Sequence, residues 1–380
     1  MTKNNLLSMP FSNISSPLRS NVNLQLLTLQ AVVTQFFFSM LKVIWQPYMV
    51  EHGVSFVELG TIQATITIFT GAGSLLWGNL SDTYGRKPIH IASMLARVVA
   101  VVLAYTATDW RGFLGFGVFI GLSASWTQSN PVTTILVSES VEEEKMGTAL
   151  SIYTSAGTLL AVVASPLGGF LAANQGYRII FISCILGELF NALMAQGLLR
   201  ETLKADFKTT PQTDILSLIT PELGLTPFYL INILTMFSWS VAFSNLNAIL
   251  VEDYGLTVLQ LGLMASAFSL SWGLSMTPLG IPVDRYPRRQ FLLASRLLFL
   301  VIALGYLLSN SFIVFMILQV INGIAHGLGV PSYTSMVLSR KQGGTWNTDG
   351  EAFNPATDHQ CSSPDYRRIP LREVRIRLHS

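Results

Sequence analysis

Read for uninterrupted apolar runs bounded by charge, Gly and Pro, the chain divides into ten long hydrophobic segments. They lie near residues 24–44, 56–78, 88–107, 113–136, 147–172, 177–199, 227–250, 258–280, 290–309 and 312–338. A bilayer core of about 30 Å takes roughly 20 apolar residues of α-helix, so each run predicts one membrane-spanning helix. The predicted organisation is an N-terminal tail (1–22), a six-helix bundle (23–200), a polar linker (201–226), a four-helix group (227–339) and a polar tail (340–380).

Composition agrees: of 380 residues half are apolar and only 12% are charged, more hydrophobicity than a soluble core requires. The net charge of +2 matters less than its placement. If the N-terminus is cytoplasmic, the inner loops hold Lys3, Arg19, Arg86, Lys87, Lys145, Arg200, Lys204, Lys208, Arg285, Arg288, Arg289, Arg340 and Lys341, and the outer loops hold Arg111 and Arg178. The positive-inside rule therefore predicts both termini of the ten-span unit on the cytoplasmic side of a cell membrane. Cys184 and Cys361 are too few for a disulfide framework.

The sequence also repeats itself. Shifted by 202 residues without a gap, Gly53 meets Gly255, Gly60 meets Gly262, Gly78 meets Gly280, Asp82 meets Asp284, Tyr84 meets Tyr286 and Arg86 meets Arg288, within ten identities in 41 columns. Asp, Tyr and Arg recurring together at a loop point to a duplicated half, a common plan in transporters.

The repeated loops read GNLSDTYGRK (Gly78 to Lys87) and GIPVDRYPRR (Gly280 to Arg289). The first is similar to the loop signature of the major facilitator superfamily, Gly-x-Leu-Ser/Ala-Asp-x-x-Gly-Arg-Lys, and the second resembles its degenerate copy, with Pro287 opposite Gly85. Gly176-Tyr177-Arg178-Ile179-Ile180-Phe181 and Glu201-Thr202 resemble that family's start and end of helix six. Ser165-Pro166-Leu167-Gly168-Gly169 resembles an antiporter motif of the family, and a plain seam of small packing residues explains it equally well. The resemblance covers Asn23 to about Leu338. It implies an all-α membrane protein of the major facilitator type, with a complete six-helix N-terminal bundle and an incomplete four-helix C-terminal bundle. It further implies a non-enzymatic secondary transporter that moves a small solute by alternating access, with protons as a candidate coupling ion and efflux as a candidate direction.

Gly78, Asp82, Gly85, Arg86 and Lys87, with Gly280, Asp284 and Arg288, are then expected to form a conformational switch. Asp82 is placed to meet a helix N-terminus, and Arg86 to bridge to Glu139 or to the Glu142–Glu144 cluster. In that family the first, fourth, seventh and tenth helices line the central cavity. On span one Gln35, Ser39, Lys42 and Gln46 fall on one helical face. Ser123, Trp126 and Asn130 on span four, and Gln319, Asn322 and His326 on span ten, share the spacing i, i+3, i+7; span seven offers Asn232, Thr235, Ser238 and Asn245 less regularly. Aligned polar groups should face a cavity or one another, because they are costly in lipid. Lys42 faces the solute or snorkels to the interface; His326 couples to protons or stays neutral and hydrogen-bonded. Glu188 is expected to be structurally paired or protonated, and Arg97 and Arg296 lie within snorkelling reach of the surface.

There is no Gly-x-x-x-x-Gly-Lys-Ser/Thr loop for a nucleotide and no His-Glu-x-x-His for a metal. No cofactor, metal or nucleic-acid partner is expected; the partners are a solute and the lipid bilayer. Beyond Ser339 no further apolar run of spanning length follows, and Lys341 to Ser380 reads as disordered. The expectation is a C-terminus replaced by a frameshift or a truncated gene model. With it comes an alternative reading, a remnant that inserts without transporting.

Overall fold

A computed structural model describes residues 21–126, 130–142, 145–203, 226–285, 288–341, 345–346 and 352–353. Nine helical segments among the described residues are long and apolar enough to cross a membrane, and a shorter apolar helix accounts for the remaining predicted span.

The helices begin where the sequence supplies caps. Helix α1 (Val22–Glu51) starts on Asn21, whose side chain accepts from the Leu24 amide. Helix α2 (Phe56–Tyr84) opens with a full capping box, Ser55 with Glu58, and ends at Gly85, whose φ of 113° lies in the region that favours glycine. Helices α3 (Arg86–Thr106), α6 (Met146–Gln175) and α7 (Arg178–Leu198) complete the first half together with span four. The expected continuous fourth span is a correction: it is two helices, α4 (Trp110–Leu122) and α5 (Pro131–Glu139). Pro131 cannot donate a helical N–H, while the Asn130 side chain caps the Val132 amide and reaches back to the Ser123 carbonyl. Ala124, at φ 51°, turns the chain out of α4. Ser123, Trp126 and Asn130 therefore do not share a face of one helix.

In the second half, span seven is also interrupted, at Ser244 and Asn245, between α8 (Thr226–Phe243) and α9 (Leu246–Glu252). Helices α10 (Val258–Arg285), α11 (Arg288–Leu308) and α12 (Phe312–Lys341) follow. The duplication holds at the backbone level. Shifted by 202 residues, the first residues of α2, α3 and α4 coincide with those of α10, α11 and α12, and the last of α3 with the last of α11. Gly53 and Gly255 both take positive φ, and Thr257 with Gln260 repeats the Ser55–Glu58 capping box. Within the stretch expected to be a disordered tail, Thr345–Trp346 (β1) and Ala352–Phe353 (β2) pair antiparallel; the rest of that tail, the N-terminal tail to residue 20 and linker residues 204–225 lie outside the described residues.

Antiparallel helices define two ends. The motif end carries the Gly78 to Lys87 loop; the far end carries the turns after α1, α3, α6, α9 and α11. One buried cluster, including Leu24, Leu27, Leu136, Val137 and Leu199, fills the first half near the motif end. A larger one, including Ile44, Met49, Leu59 and Phe181, continues into the second half through Leu250, Leu261, Met264 and Phe315. Between the halves, α6 packs on α10, and α1 on α9 and α10.

Candidate functional site

At the motif end, the Arg86 guanidinium donates to Asp82, to the Ser81 hydroxyl at 2.9 Å and to Glu139 at 3.3 Å. Of the two expected partners, Glu139 is therefore the one engaged. Glu142 turns to Lys145 at 2.7 Å, whose ammonium holds the carboxyl below the usual carboxylate range; Glu143 and Glu144 lie outside the described residues. Asp82 does not meet a helix N-terminus. That place belongs to Glu201, whose carboxylate accepts from the Arg86 and Lys87 amides at 2.9 and 3.1 Å, the first two N–H groups of α3. A Cβ at Gly85 would fall 2.6 Å from that carboxylate, which gives the motif glycine a second reason beside its φ. Lys87 donates to the Gln196 carbonyl at 2.7 Å, Thr202 donates to Glu139, and Gly78 faces Pro131. The loop thus ties α2, α3, α5 and the end of α7 into one charged cluster. In the second copy α10 is described to Arg285 and α11 from Arg288, the counterpart of Arg86; residues 286–287 and the side chains of Asp284 and Arg288 lie outside what is described.

The cavity residues separate into groups. Gln46, Gln319 and Asn322, from opposite halves, meet in a cavity of about 150 Å³ closed by Trp239, Asn247 and Tyr306. Gln319 donates to the Tyr306 hydroxyl at 3.1 Å and accepts from Asn322 at 3.2 Å; the Asn322 carbonyl oxygen is buried without a partner. Gln35 and Asn130 line a second cavity of about 300 Å³ inside the first half. Ser39 is buried outside both. Lys42 does not snorkel: its ammonium stands 5.4 Å from the Trp126 ring centroid, and Trp126 packs edge-on against Phe38, Trp45 and Phe116. Asn245 bridges the halves by donating to the Phe56 carbonyl at 3.0 Å. Thr235 and Ser238 return their hydroxyls to carbonyls of their own helix, and Asn232 is exposed, so span seven contributes Asn247 rather than these three. His326 lies among the rings of Trp239, Phe268, Trp272 and Phe299, 5.2 to 6.1 Å between centroids.

Arg97 lines the second cavity and is the partner of Glu188, whose structural pairing was expected. Arg97 does not snorkel. It is buried and bonds Glu188 at 2.7 and 2.8 Å, while its other terminal nitrogen donates to Ser125 at 2.7 Å. Glu188 also accepts from Thr34 at 2.6 Å. Next to Arg97 in the cavity wall, His90 bridges Gln30 and Thr133, each at 3.2 Å. His90, Gln30 and Glu201 were not expected in these roles. For His90 and Gln30 the only signal is polarity inside an apolar run, and for Glu201 it is the resemblance of Glu201-Thr202 to the family's end of helix six.

The far end is where the halves close. A Cβ at Gly169 would lie 2.5 Å from the Val258 carbonyl, and one at Gly262 2.5 Å from the Ser165 carbonyl, so α6 and α10 touch backbone to backbone. Pro166 has no N–H for the Val162 carbonyl; the Ser266 hydroxyl of α10 donates to it at 2.6 Å. The Ser165 to Gly169 motif is, in this state, a packing seam. Gln46 adds bonds to the Ser244 carbonyl at 2.5 Å and from the Ala248 amide at 3.3 Å. Within the first half, a cleft lined by Tyr48, Glu51, Tyr105, Tyr177 and Arg178 opens at the far end.

The sequence pattern of the Major Facilitator Superfamily matches residues 27–227 and 228–340, most of the chain in two consecutive parts. The chain belongs to the major facilitator superfamily. Among curated superfamily members, the multi-drug resistance efflux pump PmrA of Streptococcus pneumoniae is 26% identical over 274 residues, 70% of this chain and 66% of that protein. The multidrug resistance protein MdtL of Citrobacter koseri is 27% identical over 269 residues, 67% of this chain and 66% of its own length. The chain's match thus spans just under two thirds of these relatives. Solved superfamily structures share the fold: the human organic anion transporter MFSD10 at TM-score 0.56 and 17% identity, covering 83% of this chain and 85% of that one, and a D-xylose-proton symporter at 0.60 and 15%, covering 83% and 82%. The division of this superfamily member into two repeats that meet on α1, α6, α9 and α10 follows from its own contacts.

Proposed function

We propose that the chain is a secondary transporter that moves a small solute through a cell membrane by alternating access, in the efflux direction and coupled to protons. The observation that carries this reading is the meeting of Gln46 with Gln319 and Asn322 in a cavity between the halves, just inside the far-end seam. Amide and hydroxyl groups beside Trp239 fit a solute with an apolar body and a few hydrogen-bonding groups. The loop charges put the far end outside and both ends of the ten-span unit in the cytoplasm. The described state is then closed outward, and the Asp82–Arg86–Glu139 cluster is the latch whose state changes when the cavity turns. Multidrug names among the relatives support an apolar, variable cargo.

The test is flux in liposomes holding the purified 380-residue chain, with a lipophilic fluorescent cation as cargo and an imposed pH gradient. The expected result is saturable, gradient-driven movement, with Gln46→Ala raising the half-saturating concentration. Flux that never saturates and matches empty liposomes, with or without the gradient, would remove the transport reading.

A further inference from the structure

The cavity inside the first half holds a group that the transport reading does not use. Among the described residues, Arg97 and Glu188 form the one ion pair in which both side chains are more than nine-tenths buried, 6% and 1% exposed. They come from α3 and α7, away from the helices that the family resemblance assigns to the solute path. The Arg97 side of the pair is not repeated in the second half. Under the 202-residue shift Arg97 corresponds to Phe299 and Ser125 to Gly327, and the second half packs there with Phe299 against His326. There the Arg296 guanidinium lies 5.8 Å over the Phe299 ring with no carboxylate paired to it among the described residues, and a buried ion pair is rarely the more stable choice over other packing.

Its surroundings are arranged asymmetrically. Oε2 of Glu188 takes two N–H groups of Arg97; Oε1 takes the Thr34 hydroxyl, and Thr34 lines the 300 Å³ cavity. Thr34 in turn accepts from the Asn191 amide at 2.9 Å. Arg97 stands in the cavity wall with Ser125. The other titratable groups nearby are His90 on α3, held by Gln30 and Thr133, Tyr153 on α6 and Cys184 on α7 itself, which donates to the Phe37 carbonyl. Helix α1 faces the pair with the neutral Gln30 and Thr34, its Lys42 being turned to Trp126. Glu188 is thus a carboxylate one hydroxyl away from a polar cavity, with a single cation holding it.

We propose that Glu188 is a proton-binding site of the first half, loaded from the cavity through the Thr34 hydroxyl, and that its protonation releases the Arg97 guanidinium into the cavity. In the step, Thr34 Oγ takes a proton from a hydronium ion in the cavity and passes its own to Oε1. The carboxylate becomes a carboxylic acid, water is left in the cavity, and Arg97 keeps Ser125 and turns its fork to any acceptor group there. As the coupling site of a transporter this rests on the transport reading; as a protonation site it does not.

The full chain in lipid bilayers, titrated by infrared difference spectroscopy in H₂O and D₂O, tests it. A carboxylic C=O band should grow as pH falls, shift in D₂O, and be absent from Glu188→Gln. Because that variant leaves a buried unpaired guanidinium, the double variant Arg97→Gln/Glu188→Gln, which removes both charges together, serves if the single one does not accumulate. Either should also flatten the pH dependence of any flux. A band unchanged in these variants, or no titrating band in the wild type while the chain stays folded, overturns the proposal. A wild type that shows the band but no flux sinks the transport reading and leaves the proton site standing.

Discussion

The seam between α6 and α10 allows a direct test of whether these contacts close the far end. Gly262→Ala adds a Cβ 2.5 Å from the Ser165 carbonyl oxygen and 2.8 Å from Pro166 Cα, both backbone atoms that cannot rotate away. Ordinary carbon contacts begin near 3.5 Å, so the helices must part by roughly 1 Å or the backbone must bend. Overpacking of this kind costs about 1–3 kcal/mol. The cost falls on the state in which α6 and α10 touch, and is absent from one in which they have separated. The ratio of closed to open far ends should therefore drop by roughly 5- to 150-fold. Spin labels on cysteines at Asn174 and Ser311, exposed far-end positions of opposite halves, report this directly by pulsed distance measurement, with Cys361→Ser as background. Gly262→Ala should move population to longer distances. Gly121→Ala is the control: its Cβ would meet the Ile66 carbonyl at 2.7 Å, inside the first half. It should lower thermal stability and leave the distances alone. An unchanged distribution in Gly262→Ala, or the same lengthening in both variants, would refute the reasoning.

Ser266→Ala leaves the Val162 carbonyl without a donor inside the seam and should cost about 1–3 kcal/mol of the same closed state, visible in the same distance measurement. Asp82→Asn removes one of two carboxylates from Arg86; it should slow flux while leaving solute affinity nearly unchanged, and lost equilibrium binding with unchanged turnover would contradict a switching role. A cysteine at Gly53 should react with impermeant reagent from outside and one at Lys204 from inside; reversed labelling would overturn the orientation.

What could be read from the sequence was whatever is local or repeated. Span lengths follow from apolar runs, and the caps at Ser55 and at its repeat Thr257 set helix starts that agree between the halves. The motif loop pointed from Arg86 to Glu139, but the sequence reading set Asp82 at a helix N-terminus and not, as the structure has it, on Arg86 one turn away. Glu201 was harder, since it reaches α3 from residues 115 and 114 positions away in the chain. Arg97 and Glu188 were hidden by the same distance: 91 residues separate them, and an isolated arginine two turns inside an apolar run reads as a snorkelling one. The cavity stripes were drawn on straight helices; on α1 they divide between two cavities, on α12 Gln319 and Asn322 line a cavity that His326 does not, and span four is not one helix.

The duplication shows what differs locally. Position 130 corresponds to Ser332 and 131 to Tyr333, in a helix, α12, that runs unbroken to Lys341. Ser332 returns its hydroxyl to the Leu328 carbonyl, a bond compatible with a continuing helix, and Tyr333 keeps its N–H. Asn130 instead caps forward to Val132, and Pro131 has no N–H for the carbonyl one turn back. The first-half span thus divides, with Ala124 at φ 51° and Asn130 capping Val132, where its repeat α12 runs on as one helix through Pro331. The consequence is chemical: the break turns Ser125 onto Arg97 and sets Asn130 between Ser93 and the Ser123 carbonyl. Irregular backbone at membrane depth is tolerated where protein or a cavity covers it, and here both do. Among the described residues, the buried ion pair lies against the broken fourth span, while the unbroken repeat of that span, α12, holds His326 among aromatic rings. Frame and chemistry are therefore separable in this chain: the repeated caps and glycines fix the helices, and the departures from the repeat locate the groups that hold charge.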